Sequence, residues 1–225
     1  MAVKVDLKHM TSVHRATVYE PAEDSYLFVD SLTIDLPSAI AEFPASSEPL
    51  VCLEVGSGSG YVSTHLSLVL RGLQRTSFAY CTDINADAAA LTSETFRVNG
   101  VLAHEEAVCD LADAFKARLR HRVDVLLFNP PYVPCDADEF AGADGLARAW
   151  AGGLHGREVL DRFIPDVGEL LSPHGCFYLI AIPQNRPDEL MRVFERKHGL
   201  VGRVVGRRTA ANEQLMLIRF DRRVK

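Results

Sequence analysis

Residues 129–132 read Asn-Pro-Pro-Tyr and follow directly on the apolar run 125–128. Neither proline can donate a backbone hydrogen bond, so a strand must end here. As a strand stop alone, the segment would predict no particular residue at 129 or 132. The same four residues can also do chemistry. A planar NH2 group, whether an amide or an exocyclic amine, is a poor nucleophile because its lone pair is delocalised. The side-chain oxygen of Asn129 and the backbone carbonyl of Pro130 can each accept one N–H, orienting the nitrogen toward an electrophilic methyl group and drawing its electron density the same way. Tyr132 can stack on the flat group, and Pro130 and Pro131 stiffen the loop so that the acceptors stay aimed. This scheme needs no strong general base, in keeping with the lack of a histidine beside the motif.

A second constellation lies upstream. "LEVGSGSG" puts Glu54 two residues before Gly56, with Gly58 and Gly60 following. Glycines between a strand and a helix let the backbone approach a ligand and take positive φ. The G-x-G-x-G spacing differs from the dinucleotide fingerprint, so no pyrophosphate is implied, and a carboxylate beside the turn suits a cationic ligand group. Asp83 follows about twenty residues later, where a carboxylate can accept both hydroxyls of a ribose. Asp110 can accept from an adenine amino group, with Leu111 against the ring. Each aspartate alone reads as a helix N-cap. Three acids after three successive strands, with the glycines, point to an adenosine-type cofactor.

The elements that must position these groups alternate. Strands are expected at 50–55, 77–84, 105–110, 123–129 and 176–182, and helices at 61–72, 85–100, 111–120, 157–171 and 187–198. The runs 200–208 and 213–220 have only a loop between them and predict an antiparallel pair. The result is a doubly wound, Rossmann-like α/β sheet of seven strands closing on a C-terminal antiparallel hairpin, the pattern associated with class I S-adenosylmethionine-dependent methyltransferases. One domain is expected, with residues 1–49 as an N-terminal extension carrying one helix near the cofactor site, 50–225 as the methyltransferase domain, and 36–49 reading as a linker.

The 225 residues suffice for a full core, and 48% hydrophobic with 24% charged residues is ordinary for a soluble protein. A net charge of −6 speaks against a protein built to grip a nucleic-acid backbone; the basic C-terminal runs read as solvated strand ends and a tail. Five scattered cysteines (Cys52, Cys81, Cys109, Cys135, Cys176), without a C-x-x-C pair, suggest reduced thiols, a cytoplasmic or nuclear setting and no metal site. No stretch is long and apolar enough to span a bilayer, so no membrane association is expected.

With these residues in view, the chain resembles the HemK-type glutamine N5-methyltransferases, specifically the eukaryotic branch that modifies the class-1 translation release factor. The segments "VYEPAEDSYLFVDSL" (18–32), "CLEVGSGSG" (52–60), "CTDIN" (81–85), "FNPPYVP" (128–134) and "AWAGGLHGREVLDRF" (149–163) carry the likeness, as does the close of the chain. The resemblance implies methylation of the glutamine of the release factor's Gly-Gly-Gln loop. It places Ser25, Glu54, Gly56, Asp83, Asp110 and Leu111 around S-adenosylmethionine, together with Gly58 and Asn129. Asn129, Pro130, Pro131 and Tyr132 would hold the glutamine amide, and Tyr19 would close over the cofactor. It further implies a heterodimer with a small zinc-containing activator, which adds a strand to the edge formed by the third strand. Bacterial members carry a separate N-terminal helical domain, where this chain has only its short extension. Gly152, Gly153 and Gly156 fall in a loop expected on the substrate side; Trp150 reads equally as a core anchor, and His155 shows no partner.

Asn-Pro-Pro-Tyr also serves enzymes that methylate adenine or cytosine amines, so DNA or RNA adenine N6-methylation is the competing reading. Against it stand the acidic charge and the lack of a target-recognition or base-flipping insertion. A lysine as secondary substrate and a non-catalytic cofactor-binding subunit complete the alternatives.

Overall fold

A computed structural model describes residues 3–44, 48–210 and 213–222. Among them seven strands form one sheet: β1 (Leu50–Val55), β2 (Ser77–Asp83), β3 (His104–Val108), β4 (Val123–Phe128), β5 (Leu171–Ala181), β6 (Leu200–Ala210) and β7 (Glu213–Arg222), in the order β3-β2-β1-β4-β5-β7-β6. The first five run parallel to one another, and β7 lies antiparallel between β5 and β6. The strand order reverses between β1 and β4, which opens a crevice at the carboxyl ends of those strands. The helices are α1 (Ser12–Thr17), α2 (Glu23–Ala41), α3 (Tyr61–Gly72), α4 (Ala86–Val98), α5 (Ala137–Gly142), α6 (Glu158–Leu170) and α7 (Pro187–His198).

Both faces of the sheet are covered, so its central strands β1 and β4 are apolar at all but one position each, Glu54 and Asp124. In β4, Leu126 and Phe128 join Phe163 and Val167 of α6 and Phe194 of α7 on one face. Val125 and Leu127, on the alternate positions, join Phe28 and Leu32 of α2 and Leu66 and Leu70 of α3 on the other.

Three expectations need correction. The linker expected from residue 36 begins later, because α2 continues through Pro37 to Ala41. Leu36, Ala39 and Ile40, spaced three and one apart, are all buried and hold the last turn against the sheet despite the lost N–H; residues 45–47 of that stretch lie outside the described residues. Two helices, not one, precede the first strand. The helix expected at 111–120 is a chain of turns, entered through Leu111 (φ 48°) and left through His121 (φ 56°). The bonds Lys116 N–H to Ala112 O and Leu119 N–H to Phe115 O, both 2.8 Å, form single helical turns that do not propagate. Ala112, Phe115 and Leu119 still bury at helical spacing, which is what the sequence pattern registers.

Helix α2 is tied to the hairpin by charge as well as by apolar packing. Arg219 of β7, 2% exposed, donates to Asp35 of α2 at 2.8 Å and to Asp221 at 2.8 Å, and the Tyr178 hydroxyl donates to Asp35 at 2.7 Å.

Candidate active site

The glycine loop leaves β1 with Gly56, Gly58 and Gly60 all at positive φ. At Gly60 the choice is forced twice over: φ is 73°, and a Cβ would sit 2.8 Å from the Thr92 Cα. The loop is held by Asp83, whose Oδ2 accepts from Gly58 N–H at 2.9 Å while Oδ1 accepts from Asn85 N–H at 2.9 Å. With Ile84 N–H also bonded to it, the carboxylate still has acceptor capacity left for a ligand hydroxyl. Burial raises the Asp83 pKa, partly countered by these backbone donors. Glu54 is buried at the end of β1, with its carboxyl held by the Ser63 N–H at 3.0 Å and by the Ser63 hydroxyl. Burial pushes its pKa up to about 8 against those bonds, so the site holds a carboxyl that ionises readily only when a cation arrives.

Asp110 lies two residues beyond the end of β3 rather than on it, and Arg162 of α6 donates to its carboxylate. Leu111, in left-handed backbone, packs at the edge of the core beside it. Arg162 falls within residues 149–163, but only the fold brings α6 over the β3 end.

The Asn129 amide meets a residue that sequence reasoning passed over. Its Nδ2 donates to Asp24 Oδ2 at 3.0 Å, and its Oδ1 is buried without a hydrogen-bond partner among the described residues. Asp24, 3% exposed in the first turn of α2, also accepts from Ser25 N–H at 2.6 Å, from the Ser25 hydroxyl at 3.2 Å, and from the Tyr19 and Tyr132 hydroxyls at 3.4 Å. Tyr19, Ser25, Asn129 and Tyr132, four positions singled out from sequence, thus converge on one carboxylate. Both tyrosine hydroxyls are pushed above their ordinary pKa by burial and by Asp24. An acid in a helix's first turn reads from sequence as a dipole partner, and its inward aim shows only in the burial.

The loop after Tyr132 is fixed from behind by Asn185, 1% exposed, whose Nδ2 donates to the Tyr132, His155 and Gly156 carbonyls at 2.9, 2.8 and 3.2 Å. A Cβ at Gly156 would lie 1.9 Å from the Tyr132 carbonyl oxygen, so only glycine allows the segment 149–156 to pack there. His155 is not without a partner: its Nε2 lies 2.9 Å from Arg186 Nη2. Trp150 is 37% exposed and is no core anchor.

These groups line one cavity of about 760 Å³, a size suited to a cofactor and the end of a substrate side chain. Tyr19, Asp24, Ser25, Glu54, Gly56, Gly58, Asp83, Asp110, Leu111, Asn129 and Pro131 border it, and residues of α5 and the following turn wall its outer side. Pro130 and Tyr132 stand behind that lining, Tyr132 with its ring against the α2 face of the core. Acids at three corners, close backbone at the glycines and an orphan acceptor at Asn129 fit a cofactor with a nucleoside end and a cationic end.

No family model matches the chain. It is 45% identical over 205 residues to human Methyltransferase HEMK2, covering 91% of this chain and 90% of that protein. It is 31% identical over 211 residues to the fission-yeast eRF1 methyltransferase catalytic subunit mtq2, covering 91% and 89%. Its fold matches a chain of the E. cuniculi Mtq2–Trm112 complex, responsible for methylation of the eRF1 translation termination factor, with TM-score 0.61, 28% identity, and 92% and 99% of the two chains covered. With the sheet order, the crevice and these relatives in agreement, the chain belongs to the eukaryotic branch of the HemK-type protein glutamine methyltransferases, enzymes that use S-adenosylmethionine.

Proposed function

We propose that this protein methylates the side-chain amide nitrogen of the glutamine in the Gly-Gly-Gln loop of the class-1 release factor eRF1, as catalytic subunit of a heterodimer. The observation that carries the reading is the Asn129 Oδ1. A buried acceptor without a donor costs about 1–3 kcal/mol, and a glutamine N–H would relieve it. The names of the human, yeast and E. cuniculi relatives support the same substrate and assembly.

When bound, S-adenosylmethionine supplies an electrophilic methyl group on a sulfonium sulfur, which departs with the bonding pair as a neutral thioether. The chain's part is positioning and electrostatics. Asn129 Oδ1, at the cavity wall, would hold one N–H bond of the amide, and the carbonyl of Pro130, next in the chain and just behind the lining, would take the other, turning the nitrogen toward the methyl carbon. As the N–C bond forms, the N–H facing Asn129 becomes more acidic and its hydrogen bond strengthens, which favours the transition state over the ground state. The proton is then lost to solvent, leaving the neutral N-methyl amide. Among the described residues that line the cavity, Asn129 is the amide acceptor placed to orient the substrate nitrogen. Glu54 would meet the cofactor's cationic end, Asp83 the ribose hydroxyls, and Asp110 the adenine amine.

For the partner we propose a small zinc-containing activator that extends the sheet at β3. The sheet order leaves β3 at one edge, with Leu102 and Val108 exposed beside it. A cytoplasmic setting, with the release factor at hand, completes the proposal.

The test is methyl transfer to purified eRF1, with and without the activator, the modified residue mapped by mass spectrometry. A single methyl on the Gly-Gly-Gln glutamine, formed only with the partner, is expected. Methylation of adenine in DNA or RNA, or of a lysine alone, would replace this reading.

A further inference from the structure

We infer that Asp24 is a positioning residue that sets which way the Asn129 amide faces, and so creates the acceptor on which catalysis depends. The inference rests on the glutamine-methylation reading for its kinetic consequence, but not for its structural one.

An asparagine amide is nearly symmetric in shape, and nothing in the Asn-Pro-Pro-Tyr loop by itself decides whether oxygen or NH2 faces the cavity. Reversed, Asn129 would present two donors to a substrate NH2 group that is itself a donor, and the site would repel what it should hold. The asymmetry comes from across the crevice. A carboxylate only accepts, so the Asn129 face at 3.0 Å from Asp24 Oδ2 must be Nδ2, and Oδ1 is left on the other side without a partner.

Asp24 is built for this task. It is 3% exposed, and among the described residues no lysine, arginine or histidine pairs with it. Its remaining partners, Ser25 N–H, the Ser25 hydroxyl and the hydroxyls of Tyr19 and Tyr132, are all donors. A cation at that place would satisfy the carboxylate and release Asn129; neutral donors leave it needing the amide NH2. Sequence separation underlines the point: the bond joins positions 105 residues apart, so the extension before β1 supplies part of the catalytic loop's geometry.

The experiment uses the complex of this chain with its activator and compares wild type, Asp24→Asn, Asp24→Glu and Asn129→Ala. Asp24→Asn keeps the shape and one acceptor oxygen, replaces the other oxygen by a donor, and so can offer either NH2 or oxygen to Asn129. It should lower kcat on the release factor about 10- to 100-fold, with KM for the release factor and cofactor affinity within about threefold and the melting temperature near that of wild type. In the Asn129→Ala background the same change should cost no further activity, because the two act as one unit. A readout independent of turnover is the side-chain NH2 pair of Asn129 in 15N NMR spectra, identified by its loss in Asn129→Ala. In wild type one of its protons should be shifted downfield and protected from exchange, and in Asp24→Asn that signature should vanish; Asp24→Glu should restore part of it.

An Asp24→Asn enzyme with unchanged kcat, or an Asn129 NH2 signal indifferent to Asp24, would overturn the inference. So would a loss of cofactor affinity that accounts for the whole fall in activity, since Asp24 would then be serving the cofactor. If wild type fails to methylate the release factor but the NMR signature behaves as described, the substrate assignment fails while the role of Asp24 stands.

Discussion

Helix α2 carries two inward-facing aspartates, and they are treated in opposite ways. Asp24 and Asp35 lie eleven residues apart, about three turns, so they share one face of the helix. Asp35 meets Arg219 and the Tyr178 hydroxyl, Arg219 in turn meets Asp221, and Asp221 meets Arg203: a closed set of two acids and two arginines. Asp24 meets only neutral donors, and the chain of bonds beyond it ends on an unpartnered oxygen at Asn129. The first arrangement has nothing left to offer a ligand and holds the helix to the hairpin. The second is left incomplete at the cavity, which is where a ligand can complete it. Satisfaction of hydrogen-bonding groups therefore separates scaffold from site along a single helix.

The largest effect should come from breaking the open end. Asn129→Ala removes the orphan acceptor and should cut turnover by about a thousandfold while cofactor affinity, read by calorimetry, stays within a few-fold. Loss of cofactor binding in that variant would make Asn129 a structural residue like Asp35. Breaking the closed end should do the reverse. Asp35→Ala leaves Arg219, 2% exposed, with only Asp221, and should lower unfolding free energy in urea by about 3 kcal/mol with little change in kcat of the folded protein. A variant that keeps its stability but loses activity would erase the distinction.

Much of the fold was legible because the central strands β1 and β4 are mostly apolar and glycine or proline follows closely on each. The Asp83, Glu54 and Asn129 positions followed from strand ends alone. What escaped sequence reading shares a cause: it depends on what a residue meets across the fold. Asp24 looks like a first-turn acid until its burial is known. Residues 111–120 carry helical spacing but lack the length to propagate between two left-handed residues. Pro37 looks like a helix stop, yet Leu36, Ala39 and Ile40 hold the turn beyond it. Asn185, which fixes the catalytic loop's carbonyls from 53 residues away, has no local signature at all.

Glu54 offers a third buried acid against which to set the pair. It has neither a cation, as Asp35 has, nor Asp24's several donors, only Ser63, and its pKa stands at about 8. A raised folded-state value means that the stability Glu54 contributes is complete below the ordinary carboxyl pKa and is lost as pH climbs toward about 8. A cationic cofactor prefers the ionised form, so its affinity should rise between roughly pH 6 and 8 and then level off, by at most about tenfold per pH unit, with proton release on binding measurable by calorimetry in buffers of different ionisation heat. Glu54→Gln should flatten much of that dependence, though not all, because Asp83 is shifted in the same direction. A flat profile in wild type would mean that the cationic end lies elsewhere.

The smallest effect tests whether the two ends of α2 are independent. Arg208 of β6 bonds to Glu23 at 3.1 Å and to Asp30 at 2.7 Å, one of them beside Asp24 and the other on the way to Asp35. Both acids are more than half exposed, so Arg208→Gln should cost less than about 1 kcal/mol and less still in high salt. If Asp24 is held by its own donors, kcat should not change. A fall in kcat beyond the small loss in stability would show that the hairpin tunes the Asp24 end through Glu23, and the helix would then transmit strain between scaffold and site rather than divide them.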